Sequence, residues 1–259
     1  MSFFETTDRG KKYQADLLEF MDSHIYPAES VYEEQMRELG DPHGQPQIIE
    51  DLKKEAKSRG LWNLFHPHPE WGPGLTNLEY APLAEIMGRS HIASEACNCA
   101  APDTGNMEVF TLFGTDEHKE KYLKPLLDGT IRSAFAMTEP GVASSDATNV
   151  EMSMVRDGDD YVLNGRKLWI TNGEEAGLYL VFATADLHAG YHGITGFLIE
   201  RDMPGFSVGK KEDKLGIRAS STCELLLEDC RVPSTNVLGE IGKGYRVAIE
   251  TLNEGRIGI

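Results

Sequence analysis

The sequence predicts an α+β protein: an all-helical N-terminal domain, a β-barrel or sandwich middle domain, and the first turns of a further, truncated helical domain. Three observations predict it. In the first half, apolar residues recur at a 3.6-residue period between cap signals. From Ile131 onward, short apolar runs are separated by Gly and Asp with no helical stretch between them. After Gly244 a helical period returns in Tyr245, Ala248, Ile249 and Leu252, and it meets Ile259 without a cap. The expected domains are 1–130, 131–240 and 241–259.

Tyr13, Leu17, Leu18, Met21 and Ile25 define a first helix over 6–25, with Pro27 after it. A second runs from Ile48 to Ser58 and closes at Gly60. Thr76 and Glu79 form a capping box for a third, up to Met87. Thr115 caps a fourth over Asp116 to Leu127, with acids in its first turn and Gly129 beyond its end. Trp71-Gly-Pro-Gly74 is loop. Met152–Val155 and Tyr161–Leu163 read as a hairpin around Asp157-Gly-Asp-Asp160, and Leu178–Ala183, Gly196–Ile199 and Leu225–Leu227 as further strands.

The 259 residues carry 25 Lys+Arg against 42 Asp+Glu, a formal net charge of -17. That balance argues against nucleic acid, whose phosphates require cationic neutralisation, and against anionic membrane surfaces. No apolar run is long enough for a membrane span. Met-Ser-Phe-Phe-Glu has the features of neither a secretory signal nor a transit peptide. Cys97, Cys99, Cys223 and Cys230 form no Cys-x-x-Cys pair, so neither a zinc site nor a disulfide scaffold is expected, and a reducing cytoplasm is.

Two segments carry candidate chemistry. In Phe135-Ala-Met-Thr-Glu-Pro-Gly-Val-Ala-Ser-Ser-Asp146 a strand enters a loop of small residues, with hydroxyls at Thr138, Ser144 and Ser145. Such a loop offers donors to an anion or a carbonyl-rich ring, and it also suits a plain turn with Asx and Ser/Thr caps. In Asn164-Gly-Arg-Lys-Leu-Trp-Ile-Thr-Asn-Gly173, Trp169 and Thr171 are two apart and share one face of a strand. An indole beside a hydroxyl suits a flat aromatic ligand; a core tryptophan beside a β-former is the alternative.

Together these segments resemble the acyl-CoA dehydrogenase family. Gly114-Thr-Asp-Glu-His-Lys-Glu-Lys-Tyr-Leu123 is similar to its last N-terminal helix, and Thr138-Glu-Pro-Gly141 with Ser145-Asp146 to its flavin loop. Trp169-Ile-Thr-Asn-Gly173 resembles its flavin-wall strand, and Lys214-Leu-Gly-Ile-Arg-Ala-Ser-Ser-Thr222 with Val232-Pro233 its later barrel segments. Gly242-Lys-Gly-Tyr245 and Leu252-Asn-Glu-Gly-Arg-Ile-Gly258 resemble the short/branched-chain branch. Met137-Thr-Glu-Pro with Val142–Asn149 resembles instead the long-chain branch sometimes fused to a kinase-like module. Acyl-chain length stays open.

The resemblance implies a helical domain, a β-barrel-like domain and a C-terminal four-helix bundle, with FAD between the last two. It implies α,β-desaturation of acyl-CoA thioesters with electrons passed to an electron-transfer flavoprotein, in a parent enzyme that is a homo-oligomer. A non-catalytic flavin- or acyl-CoA-binding remnant and a flavin oxidase of the same fold are the competing readings. Phe135, Met137, Thr138, Ser144, Ser145, Trp169, Ile170 and Thr171 are implied at the cofactor. Ser145, Tyr191, Tyr245, Asn253, Glu254, Gly255 and Arg256 are implied at the substrate. Val142-Ala-Ser-Ser145 is one residue longer than the family's usual turn, so Ser144 and Ser145 compete for one role, Ser145 adjoining Asp146. Tyr245 as a core aromatic, Tyr191 as an exposed turn residue and Arg256 as a helix-end charge are the simpler readings. The carboxylate base is expected in the C-terminal bundle, outside these residues. Where other branches carry it on the helix begun here, this chain has Gly255, and Glu254 is turned about 100° away. The 259 residues alone are therefore expected to be inactive.

Overall fold

The computed structural model describes residues 5–40, 45–142 and 146–256, apart from the side chain of Glu254. The chain divides into two compact units, one holding the residues up to Thr104 and from Gly255, the other Gly105–Glu254.

In the first unit, helix α1 (Asp8–Phe20) opens on Thr7, whose hydroxyl accepts the Gly10 N–H. It does not stop near Pro27. A π turn over Met21–Ile25 leads straight into α2 (Tyr26–Leu39). Pro27 falls in the first turn of α2, where a missing N–H costs least, and the wider π turn absorbs the misfit. Then come α3 (Gln47–Ser58), α4 (Asn77–Met87) and the short α5 (Ala93–Ala96). Gly60, at φ 72°, ends α3 as expected. Leu17, Phe20, Met21, Ile25, Leu52, Leu83 and Ile86 build the core.

One carboxylate ties α1 to α4. Glu79, only 2% exposed, closes the expected capping box with Thr76 by accepting the Thr76 N–H at 2.9 Å. The same group accepts from the Thr7 hydroxyl at 2.5 Å and from Arg9 at 2.6 Å. The Arg9 and Thr7 bonds hold its carboxyl well below the usual carboxylate range, against the opposing effect of burial.

The second unit begins with α6, part of a helix spanning Asp103–Phe113. Thr115 caps the next stretch as expected, but its box partner is His118. That stretch comprises α7 (Asp116–His118), a π turn over Lys119–Leu123, and α8 (Lys124–Leu127). His118 Nδ1 accepts the Thr115 N–H, leaving Nε2–H to donate to the Thr235 carbonyl at 2.6 Å.

The strands are β1 (Ser133–Ala136), β2 (Ser153–Asp157), β3 (Asp160–Thr171), β4 (Leu178–Thr184), β5 (Ile194–Glu200), β6 (Phe206–Lys211), β7 (Thr222–Pro233) and β8 (Val237–Leu238). They form one mixed sheet in the order β6-β7-β3-β2-β4-β5-β8, with β1 parallel to β4. The expected hairpin is β2–β3. Helix α9 (Gly244–Gly255) follows. All seven residues of β4 are buried, so it reads as a continuous apolar run and not as an alternation.

Glu79 sets the acid sensitivity of the helical unit. Its folded value lies below that of an unfolded glutamate, about 4.3. Its contribution is therefore complete above that pH and is lost as pH falls toward the folded value. Glu79→Gln should cost on the order of 2 kcal/mol at pH 7. It should also flatten the loss of stability between pH 5 and pH 3, read by denaturant unfolding across those pH values.

Candidate functional site

Below the exit of β1 lies a buried ion pair. Lys167, with no exposed surface, places its ammonium 2.6 Å from Glu139 Oε1 and 3.1 Å from the Met137 carbonyl oxygen. Glu139, 4% exposed, also accepts the backbone N–H of Glu151 at 2.6 Å and of Met152 at 3.0 Å. Burial pulls the Lys167 ammonium below the ordinary lysine range, and the charge of Glu139 opposes that shift. The next residue of β3 adds a second anchor, since the Leu168 N–H donates to the Thr138 carbonyl at 2.9 Å. Thr138 is thus held from both sides by consecutive residues of β3.

Beyond this anchor β3 changes register against β7, between Lys167 and Ile170. Trp169 sits in the irregularity with φ 58° and is 62% exposed. A left-handed backbone is an outlier for so bulky a residue, and such strain persists where the surroundings over-determine it. Lys167 and Trp169, two apart, would share a face in a regular strand; the bulge buries one and exposes the other. Thr171 is partly buried, on the same alternation as Trp169, while Ile170 is 2% exposed and offers the surface only its backbone.

Phe135 packs its ring 5.1 Å from that of Phe182, and Met137 is 9% exposed. Asn172, fully buried at φ 61°, donates to the Ser133 carbonyl at 3.0 Å and so ties the end of β3 to β1. Asp146 accepts from the Thr148 hydroxyl at 2.6 Å, from the Thr148 N–H at 2.9 Å and from the Asn149 amide at 2.5 Å, an Asx turn. Ser144 and Ser145 lie outside the described residues.

The structure brings two of the expected substrate-side residues together. Tyr191, in the 3-10 segment Leu187–Gly193, and Tyr245, on α9, have ring centroids 5.1 Å apart. Tyr191 is 46% exposed and Tyr245 partly buried. The seat of α9 on β5 makes this possible. A Cβ on Gly244 would come 2.7 Å from the Gly196 nitrogen, so only glycine allows the approach, and the Gly242 N–H donates to the Thr195 hydroxyl at 3.0 Å. Asn253 is exposed near the end of α9 and Arg256 is exposed just after it. The side chain of Glu254 lies outside the described ones, and Gly255 contributes backbone only.

Sequence reasoning missed Glu139, Lys167 and Asn172 as organisers of this site. One signal was present: Lys167 is in phase with the inward-facing Tyr161 and Leu163. The arrangement as a whole presents an exposed flat indole on the strand whose preceding residues fix the Met137 and Thr138 carbonyls from beneath. It suits a planar, carbonyl-bearing ring.

The two sides of the bulge should respond oppositely. Lys167→Met, which strands a buried carboxylate, should cost about 3 kcal/mol or more. Trp169→Gly, which loses little burial and removes the left-handed strain, should change stability by no more than about 0.5 kcal/mol. Urea unfolding of both variants checks this.

The acyl-CoA dehydrogenase N-terminal domain profile matches residues 7–130, and the acyl-CoA dehydrogenase middle domain profile matches residues 134–230. The chain is 45% identical over 260 residues to the probable acyl-CoA dehydrogenase FadE2 of Mycobacterium tuberculosis, covering 98% of this chain and 63% of that protein. It is 41% identical to acyl-CoA dehydrogenase family member 10 of Mus musculus, covering 95% of this chain and 24% of that one. Among solved structures, a putative acyl-CoA dehydrogenase from Mycobacterium abscessus superposes with TM-score 0.91 at 38% identity, over 98% of this chain and 66% of its own. A chain of the structure described as the electron transferring flavoprotein of Acidaminococcus fermentans gives 0.81 at 36%, over 100% and 64%. An acyl-CoA dehydrogenase complexed with FAD from Bacillus anthracis gives 0.77 at 33%, over 99% and 42%. The chain therefore spans less than two thirds of the length of these relatives. With both domain profiles matched in order and the fold shared, this chain belongs to the acyl-CoA dehydrogenase family.

Proposed function

We propose that the chain forms the flavin-binding part of an FAD-dependent acyl-CoA dehydrogenase, with the domains 1–130, 131–240 and 241–259 as the units of that enzyme. The observation that supports the reading is the exposed Trp169, one residue beyond the Leu168 N–H that holds the Thr138 carbonyl. The donor set fits a flavin: Thr138 and Thr171 bring hydroxyl and backbone donors, and Trp169 brings a flat wall. Phe135, Met137, Thr138, Trp169, Ile170 and Thr171 would hold the ring, with Ser145, or Ser144, on the pyrophosphate. FAD, when bound, supplies the acceptor for the β-hydrogen, and its electrons would go on to an electron-transfer flavoprotein.

This chain's own residues bind and orient. Thr138 and its flanking peptides are fixed before any ligand arrives, which spares reorganisation when charge develops nearby. Tyr191 and Tyr245 form an aromatic pair for the acyl-CoA, joined in this reading by Ser145, Asn253, Glu254, Gly255 and Arg256. We place the protein in the cytoplasm, a reducing setting that suits four buried free thiols. Among the described residues no helix is long and apolar enough to cross a membrane. The parent enzyme is proposed to be a homo-oligomer, as the family resemblance implies.

Two measurements test the reading. Added FAD should quench Trp169, seen as the fluorescence difference between the unaltered chain and Trp169→Phe. Trp169→Ala should weaken FAD about tenfold, the loss of about 1.4 kcal/mol of stacking. Equal FAD affinity in the two proteins would remove the wall from the assignment.

The 259 residues alone should not turn over acyl-CoA. Desaturation needs a carboxylate within reach of the α-proton, and Gly255 stands in one family position for it. Anaerobic mixing of FAD-saturated chain with short, branched and long acyl-CoAs should leave the flavin absorbance unbleached. Bleaching that disappears in Glu254→Gln would make Glu254 the base and this proposal wrong.

A further inference from the structure

The Lys167–Glu139 pair is bonded to the carbonyl of the peptide that leads into Thr138. Glu139 directs its carboxylate at Lys167 and at two backbone N–H groups of the segment entering β2. Lys167 directs its charge at Glu139 and at the Met137 carbonyl. The pair is a dipole whose positive end lies on the peptide unit joining Met137 to Thr138. That peptide's carbonyl accepts from the ammonium, and its own N–H belongs to Thr138. A donor on the oxygen of an amide withdraws electron density from its nitrogen, so the N–H becomes a stronger donor. Because Lys167 is wholly buried, water does not screen this polarisation. Leu168, bonded to the Thr138 carbonyl, fixes the orientation of the next peptide.

We infer that Lys167 is a positioning residue for the redox step: held by Glu139, its ammonium clamps and polarises the Met137–Thr138 peptide, so that reduced flavin is bound more tightly relative to oxidised flavin. This rests on the flavin reading above. Charge gathers on the pyrimidine end of the ring as it is reduced; in the flavin reading the polarised Met137–Thr138 peptide serves that end and so favours the reduced form. Lys167 itself needs no contact with the ring.

The test uses the full chain saturated with FAD and reads the midpoint potential by anaerobic dye equilibration. Lys167→Gln keeps a donor for Met137 but loses the charge. It should lower the preference for reduced over oxidised FAD about tenfold, which for two electrons is about 30 mV. Lys167→Arg should restore most of the difference. A potential unchanged in a folded, FAD-binding Lys167→Gln protein overturns the inference and leaves the flavin reading intact. An unaltered chain that takes up no FAD at saturating concentration removes both. A measurement without substitution covers the case of a misfolded variant. In the unaltered chain labelled with 15N-lysine, the Lys167 ammonium resonance should shift when bound FAD is reduced, and an unmoved resonance overturns the inference.

Discussion

The second unit turns on a charge that could not be there alone. An isolated ammonium in the interior is prohibitively costly, and a buried ion pair does little better than break even against apolar packing. Lys167 is tolerated because Glu139 and the Met137 carbonyl meet it, and Glu139 because two backbone N–H groups share its charge. The net stabilisation of such a cluster is small, but the cost of breaking it is large. That asymmetry makes it a device for specifying geometry. With Lys167 in place, the segments after β1, before β2 and within β3 have one mutual arrangement in which no polar group is stranded.

The exposed face follows from that constraint. Lys167 must point inward, and Trp169, two residues on, is exposed only because the strand bulges between them. The left-handed backbone at Trp169 is the local cost, and the anchor at Leu168 and the pairing of Ile170 with Cys223 hold it from both sides. Asn172 then accepts a second left-handed position, readily for asparagine, and bonds back to Ser133. Trp169, the anchored residues after β1 and the end of β1 are therefore one mechanical unit.

The helical unit uses the same chemistry for a different end. Glu79 is also a buried carboxylate that accepts backbone and hydroxyl donors and pairs with a single cation. Arg9 is half exposed, however, so that pair is only partly desolvated, and its carboxyl titrates far below its usual range. It joins two helix starts, where negative charge is favoured by the helix dipole. The Lys167 cluster joins strands and a loop, where the dipole of the pair itself is what the neighbouring peptide feels.

The sequence by itself determined the class of the fold, most of the regular elements and the segments proposed as the site. Those features are local: the caps at Thr76 and Thr115, the glycine after α3, the β2–β3 hairpin and the small-residue loop all announce themselves within a few residues. It did not reveal α6, whose Gly105, Asn106 and Val109 have poor helix propensity and which forms because Met107, Val109 and Phe110 are buried. Nor did it reveal that Pro27 would be carried inside a continuing helix. Alternation pairs Trp169 with Thr171, yet the same alternation would put Lys167 beside them. Only tertiary structure decided otherwise. A bulge answers to the partner strand and to the buried carboxylate across from it, and both are distant in sequence. The meeting of Tyr191 with Tyr245 is of the same kind: it depends on how closely α9 approaches β5, a distance set by Gly244 against Gly196 and by no local preference.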